Sequence, residues 1–246
     1  MLAKKNTMAI TKGTLFLIPS LISQSDISYE IPSGNLKHIE LLDEFIVENI
    51  RAARRFLRKI GYKQDFDNVI FHLIDKHTKI SETIHYLKSC INGENIGLLS
   101  EAGLPCIADP GATIVLQAHQ SGIKVKPLVG PSSIFLALMS SGLNGQQFTF
   151  HGYLPIDNKI LSKKIKNLEN DSAKSRYSQI FMEAPHRNLT LYKSLIEQCK
   201  HTTLLSIASN INEIDQMILT KSIGNWIKSK TPNIHKRPSI FIINSN

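Results

Sequence analysis

The sequence is poor in cysteine, and the spacing of the few that occur limits their chemistry. Cys90, Cys106 and Cys199 are the only three in 246 residues, and none of them forms a CxxC pair. A disulfide framework or a cysteine zinc site needs paired, closely spaced cysteines, so neither is indicated. We predict free thiols in a reducing compartment, a cytoplasmic protein and no metal site.

Long apolar runs are also missing. The longest, residues 134–139 and 240–243, fall far short of the ~20 residues that a membrane-spanning helix needs. Residues 1–11 contain two lysines but lack the apolar segment of a secretory signal. We therefore expect neither a membrane segment nor a secretory signal.

The glycine motifs of common nucleotide sites are absent as well. The chain has no GxGxxG sequence after a strand and no Walker loop, so nothing indicates a dinucleotide or ATP site.

Positive charge is present in excess and is unevenly distributed. The net charge is +9; residues 1–128 have 15 Lys or Arg against 13 Asp or Glu, and residues 129–246 have 14 against 7. A basic half attracts polyanions such as RNA, although a lysine-rich surface also simply keeps a protein in solution. Charge alone leaves both interpretations open.

Short apolar runs alternate with helical patterns along the whole chain, which favours an α/β fold with a mainly parallel first sheet. We predict two α/β domains, residues 1–128 and 129–246. The predicted strands are residues 15–18, 44–47, 69–72, 96–99, 123–126, 148–153, 179–183, 204–208, 217–221 and 239–243. The predicted helices are residues 50–60, 81–91, 112–121, 133–141, 159–168 and 188–198, with a polar loop at 169–178.

Two glycine–proline loops follow neighbouring predicted strands. Residues 100–111 form a long turn rich in small residues, in which we expect Asp109 to cap a helix and Gly103 and Gly111 to let the backbone approach a ligand. Residues 127–133 repeat the arrangement, with Ser132 as the expected cap. Open α/β sheets bind ligands outside the carboxyl ends of their strands, so we predict one ligand site there, although ordinary capped connections have the same appearance.

These loops also carry a family resemblance, together with the sequences SSGL at 140–143, FTFHGYLP at 148–155 and EAPHR at 183–187. In this order and spacing they resemble the tetrapyrrole methylase superfamily, in particular its branch that methylates a cytidine ribose 2′-hydroxyl in small-subunit ribosomal RNA. The sequence VENIRAARRFL at 47–57 is similar to one subgroup of that branch. The resemblance covers most of the chain and implies two α/β domains with S-adenosylmethionine in the cleft between them, and a homodimer.

The resemblance also assigns roles to individual residues, which stand here as expectations. The cofactor-binding residues it implies are Pro19, Ser100, Glu101, Ala102, Gly103, Asp109, Pro110, Gly111, Pro131, Ser132 and Ser133. The catalytic residues are Glu48, Glu183 and Arg187, and His186 is a candidate for substrate binding. Glu48, Glu183 and His186 are the candidate bases. Glu48 and Glu183 are equally typical of ion pairs with Arg51 and Arg187, and His186 is equally typical of a helix cap.

The helical spacing, and not the resemblance, makes the predicted helix 50–60 amphipathic, with Arg51, Arg54, Arg55 and Arg58 on one face and Ala53, Phe56, Leu57 and Ile60 on another. The four arginines either form an ordinary solvated face or bind phosphates of the substrate.

The chain departs from the family pattern in the first two loops. The loop after the first strand has no glycine, and Asn49 and Ile50 stand where the family has an aspartate and a threonine. Two alternatives therefore remain: a methylase of a tetrapyrrole precursor or another small molecule, and a cofactor- or RNA-binding protein without turnover. Trp226 and Tyr153 are candidates for stacking on bases, although a lone aromatic residue is more often part of the core.

Overall fold

The computed structural model describes residues 11–75 and 77–245, and only the backbone of residues 80 and 81. The prediction about a secretory signal therefore lies almost entirely outside the described residues. The chain forms two compact units: residues 11–21 with Asp26–Pro131, and Ile22–Ser25 with residues 132–245. No helix in these described ranges is both long and apolar enough to cross a bilayer.

The first unit is built on a five-stranded sheet in the order β3-β2-β4-β1-β5, in which every pair of neighbours is parallel. Its strands are β1 Thr14–Ile18, β2 Glu44–Val47, β3 Ile70–Leu73, β4 Ile96–Leu99 and β5 Lys124–Pro127. Its α-helices are α1 Ile27–Glu30, α2 Leu36–Ile39, α3 Ile50–Lys59, α4 Ile80–Thr83, α5 Lys88–Ile91 and α6 Ala112–Gln120. Single 3₁₀ turns occur at Ser33–Asn35, Phe66–Asn68 and Ile84–Leu87.

The central strands of this sheet are apolar throughout because both of their faces are covered. Every residue of β2 and β4 is buried, as expected for parallel strands between two layers of helices. One core cluster includes Phe45 and Leu57, and another includes Leu98 and Ile114. The predicted single helix over residues 81–91 is wrong, since a 3₁₀ turn separates α4 from α5.

The second unit contains a mixed five-stranded sheet in the order β6-β7-β10-β8-β9. Strand β6 runs parallel to β7, and β10 lies antiparallel between β7 and β8. The strands are β6 Phe148–Tyr153, β7 Ser178–Met182, β8 Leu204–Ser209, β9 Met217–Ser222 and β10 Ser239–Asn244. The α-helices are α7 Ser133–Ser141, α8 Asn158–Ser175, α9 Asn188–Gln198 and α10 Ile223–Ile227, with a 3₁₀ turn at Pro185–Arg187.

The α/β prediction is confirmed, but the loop expected at residues 169–178 is wrong. Helix α8 continues to Ser175, and the inner face of its last turns carries polar residues in place of apolar ones. The buried Glu169 carboxylate accepts hydrogen bonds from Lys200 N at 2.7 Å and from Thr203 Oγ1 at 2.5 Å. The buried Ser172 hydroxyl donates to Tyr177 O at 2.8 Å. A search for apolar periodicity alone does not detect such a face.

Candidate active site

Three loops meet at the carboxyl edge of the first sheet, where β1 lies between β4 and β5. Gly103 O in the loop after β4 accepts hydrogen bonds from Ser20 N at 2.9 Å and from Ser100 Oγ at 2.5 Å. In the loop after β5, a Cβ atom on Gly130 would lie 2.3 Å from the ring of Pro19. Both glycine–proline loops therefore contact the loop that follows β1. Their strands, β4 and β5, are not the neighbours that the sequence analysis expected, because β1 lies between them in the sheet.

Asn35, which sequence reasoning missed, holds the loop after β5 through a side-chain hydrogen bond. It lies in a 3₁₀ turn, is 7% exposed, and donates from Nδ2 to Val129 O at 2.8 Å. The turn precedes a helix of only four residues. Such a short helix has no apolar periodicity from which the burial of Asn35 could be predicted. Its partner lies 94 residues further along the chain, a distance that only the fold bridges.

The long loop after β4 has an unusual backbone. Gly103, Cys106, Ala108 and Gly111 all have positive φ angles, with +122° at Gly111. Helix α6 begins at Ala112 after Gly111, so the prediction that Asp109 caps it is wrong.

Gly111 also has a structural role of its own. A Cβ atom there would lie 3.2 Å from both Cys106 Sγ and Leu98 Cδ1, within the same unit. The backbone angle and the local packing therefore explain this glycine without a ligand.

Three carboxylates lie at this edge and influence one another. Glu48 Oε1 accepts a hydrogen bond from Glu101 N at 3.3 Å. Burial, followed by the negative charge of Asp109, raises the pKa of Glu48 to about 7. Burial and the charge of Glu101 raise the pKa of Asp109 to about 6. Among the described residues no three His, Cys, Asp or Glu side chains are grouped closely enough to hold a metal ion, and these three are no exception.

At the departures from the family pattern, contacts of this chain's own residues hold the local structure. Asn49 caps α3, because its Oδ1 accepts from Ala52 N at 3.1 Å, the bond that an aspartate would also make. The loop after β1 is held without glycine by the contacts of Pro19 and Ser20 described above.

Helix α3 is amphipathic as predicted. Its inner face buries Ala53, Phe56 and Leu57, and the four arginines predicted to bind substrate are exposed. Two of them pack on aromatic rings. The Arg58 guanidinium lies 4.0 Å from the Phe66 ring centroid, and that of Arg54 lies 5.3 Å from the same centroid. Arg51 and Arg55 form no ion pair within the described part of the chain, so the predicted pair between Glu48 and Arg51 is not found.

In the second unit, Glu183 and Arg187 form an ion pair across the 3₁₀ turn at Pro185–Arg187. Arg187 Nε lies 3.2 Å from Glu183 Oε2, although the N–H direction is not aligned for a hydrogen bond. Glu183 is buried, and its Oε1 accepts from Ala184 N at 2.8 Å. His186, between the two partners in sequence, is exposed. The ion-pair interpretation of Glu183 is thus confirmed.

Two aromatic residues were candidates for base stacking. Trp226 is 1% exposed and donates from Nε1 to Leu205 O at 2.8 Å, so its predicted role as a stacking platform is wrong. Tyr153 is 60% exposed. Ser132 caps α7 as expected, since its Oγ accepts from Phe135 N at 3.5 Å.

The predicted site residues are divided between the two units. The cofactor loops up to Pro131, together with Glu48 and the α3 arginines, belong to the first unit. Ser132, Ser133, Glu183, His186 and Arg187 belong to the second.

Comparison with known proteins identifies relatives over most of the chain. No protein-family model matches it. The ribosomal RNA small subunit methyltransferase I of Buchnera aphidicola subsp. Schizaphis graminum is 30% identical over 235 residues, which cover 94% of this chain and 78% of that protein. The protein of the same name from Pasteurella multocida is 30% identical over 223 residues, covering 86% of this chain and 76% of its own.

A solved structure supports the same assignment at the level of the fold. The crystal structure of the methyltransferase CobJ superposes with a TM-score of 0.60 at 14% identity, covering 95% of this chain and 94% of that one. The chain is therefore a methyltransferase with the tetrapyrrole methylase fold and belongs to the ribosomal RNA small subunit methyltransferase I family.

Proposed function

We propose that this methyltransferase modifies a ribose 2′-hydroxyl of small-subunit ribosomal RNA, with S-adenosylmethionine as the methyl donor. The observation that carries the proposal is the similarity, over most of the chain, to proteins named for methylation of small-subunit ribosomal RNA. The net charge of +9 suits a polyanionic substrate.

The donor and acceptor groups at the carboxyl edge of the first sheet fit the proposed cofactor. S-adenosylmethionine supplies a methyl group on a sulfonium cation, and it also carries an ammonium group and ribose hydroxyls. Carboxylates at this edge suit cations and hydroxyl donors, and the loops after β1, β4 and β5 supply backbone groups. We assign its binding in this unit to Pro19, Ser100, Glu101, Ala102, Gly103, Asp109, Pro110, Gly111 and Pro131. Ser132 and Ser133, which follow at the start of α7, remain candidates.

Glu48 is our candidate for the group that accepts the proton of the attacking hydroxyl. A pKa of about 7 makes its carboxylate and carboxylic acid forms about equally populated at neutral pH, which suits a general base. In the proposed step the hydroxyl oxygen forms the bond to the methyl carbon, and the bond from that carbon to sulfur breaks. The sulfur keeps the electron pair, and the proton moves to the Glu48 carboxylate.

Glu183 and Arg187 fit a positioning role better than proton transfer. Because each is paired with the other, a proton on Glu183 would leave Arg187 without its counter-charge. We propose that the pair fixes the 3₁₀ turn that presents His186, and that His186 and the four arginines of α3 contact RNA.

We further propose a cytoplasmic homodimer. All three cysteines are free thiols, which suits a reducing compartment. In the second unit Phe135, Met139, Ile156 and Ile160 are each more than half exposed, and apolar side chains of this kind are typical of subunit interfaces. Light scattering on the purified protein tests the dimer, because a monomer mass at micromolar concentration contradicts it.

Transfer of a labelled methyl group tests the reaction itself. The protein is incubated with methyl-labelled S-adenosylmethionine and total RNA from cells that lack it, and the RNA is digested to nucleosides. We expect label in a 2′-O-methylnucleoside from small-subunit RNA. Label in tetrapyrrole extracts instead, or cofactor binding without any product, would replace the proposal by one of its alternatives.

The arginines of α3 are tested by salt dependence. Arg51→Gln with Arg55→Gln removes the two arginines that pack on no aromatic ring of the described residues. If both contact phosphates, the slope of log affinity for single-stranded RNA against log salt becomes shallower by about 1.4. An unchanged slope removes this face from the RNA site.

A further inference from the structure

The connection between α10 and β10 is strongly basic. Residues 228–238 include Lys228, Lys230, His235, Lys236 and Arg237, and they contain no Asp or Glu. Lys230, His235 and Lys236 are exposed. None of the proposed cofactor-binding or catalytic residues lies in this connection.

A buried asparagine holds the connection in place. Asn188 is fully buried at the start of α9, and its Nδ2 lies within hydrogen-bond distance of three acceptors. These are Ile234 O at 3.1 Å, Arg237 O at 2.6 Å and Ser239 Oγ at 3.2 Å. The Ile234 side chain is also fully buried, so the segment is anchored at several points.

The same anchoring brings the connection to the 3₁₀ turn that carries His186. Lys236 N donates to Pro185 O at 2.9 Å, which places the exposed His186 beside the exposed residues of the connection. Lys236 adopts a φ angle of +57°, a conformation that glycine or asparagine adopts more easily than lysine. A lysine is therefore present although the backbone favours another residue.

Two carboxylates in this region are each paired with an arginine. Glu183 pairs with Arg187, and Asp215 Oδ2 lies 2.8 Å from Arg237 Nη2. Neither carboxylate forms an ion pair with Lys236, and the described residues contain no ion pair of His186 or His235. A fixed surface with uncompensated positive charge is the result.

We propose that this surface, formed by His186, Lys230, His235 and Lys236 and called the basic edge, binds phosphate groups of the RNA substrate. The proposal rests on the proposed function, since it takes the substrate to be RNA. Its cations are exposed and spread along a loop. Such contacts bind a polyanion well because each one releases a condensed counterion, a gain that a small anionic substrate does not provide.

A pair of charge-matched variants tests the basic edge. Lys230→Gln with Lys236→Gln removes both of its lysine charges, and Lys174→Gln with Lys193→Gln removes two exposed lysines of α8 and α9 from the same unit. The affinity of each protein for a 20-nucleotide cytidine oligonucleotide is measured in rising salt. We expect the slope of log affinity against log salt to become shallower by about 1.4 for the first variant, and the control to keep the wild-type slope.

Further measurements separate the possible failures. Equal thermal midpoints show that both variants fold, and Lys236→Arg, which keeps the charge, should retain the wild-type slope. If the wild type methylates RNA while Lys230→Gln with Lys236→Gln leaves both the slope and the KM for RNA unchanged, the basic edge is refuted and the proposed function stands. If the wild type transfers no methyl group to RNA, the proposed function fails and the basic edge fails with it.

Discussion

Replacement of Glu48 by glutamine tests the electrostatics of the site most directly. The pKa of Glu48 is raised from 4.5 to about 7, chiefly by burial. A carboxyl group whose pKa is raised on folding stabilises the fold below its unfolded pKa, and this contribution is lost as the pH rises through the folded value. Ionised Glu48 therefore destabilises the protein at pH 8, and the uncharged amide in Glu48→Gln should relieve that cost.

The size of the effect follows from the shift and from the exposure of the group. A shift of about 2.5 units corresponds to about 3.4 kcal/mol at 1.36 kcal/mol per unit. Because Glu48 is only half-buried, solvent screens much of this, and we expect a gain of about 1 kcal/mol at pH 8. The amide oxygen can still accept from Glu101 N, so at pH 4.5, where wild-type Glu48 is mostly protonated, the two proteins should be equally stable.

Urea unfolding at pH 4.5 and pH 8 measures this difference. Glu40→Gln, a change at an exposed glutamate in the same unit, is the control and should have little effect at either pH. In an Asp109→Asn background the gain should shrink, because the neighbouring charge that raises the pKa of Glu48 is gone. A gain of the same size at both pH values would refute this account of the carboxylates.

Two further predictions concern packing. Gly130→Ala should lower the free energy of unfolding by about 1–3 kcal/mol, because its methyl group meets the ring of Pro19. The control Gly145→Ala, which has open space around it, should lower it little. Equal urea midpoints for the two variants contradict this packing. Asn188→Ala should cost about 2–3 kcal/mol and speed amide exchange in residues 231–238, because the buried amide group that bonds to this segment is lost. Unchanged exchange in that segment contradicts the anchoring role.

The positions and lengths of the strands along the chain could be predicted from the sequence. All ten predicted strands exist, and their ends differ from the observed ones by at most one residue. Short apolar runs bounded by polar residues specify a strand locally, so this result needs no knowledge of distant contacts. Helices were less certain where polar residues face inward, as Glu169 does, or where a 3₁₀ turn interrupts the pattern, as at Ile84–Leu87.

The sequence by itself determined the fold class, the amphipathic α3 and the loops that surround the candidate site, because apolar periodicity and turn residues act over a few positions. The tertiary structure alone decided which of those residues interact. The folded chain forms the hydrogen bonds from Asn35 to Val129 O and from Asn188 to Ile234 O, and it raises the pKa of Glu48 by burial and by the charge of Asp109. Burial, electrostatic shifts and hydrogen bonds between distant segments arise only when the folded chain brings those segments together and removes water from around them.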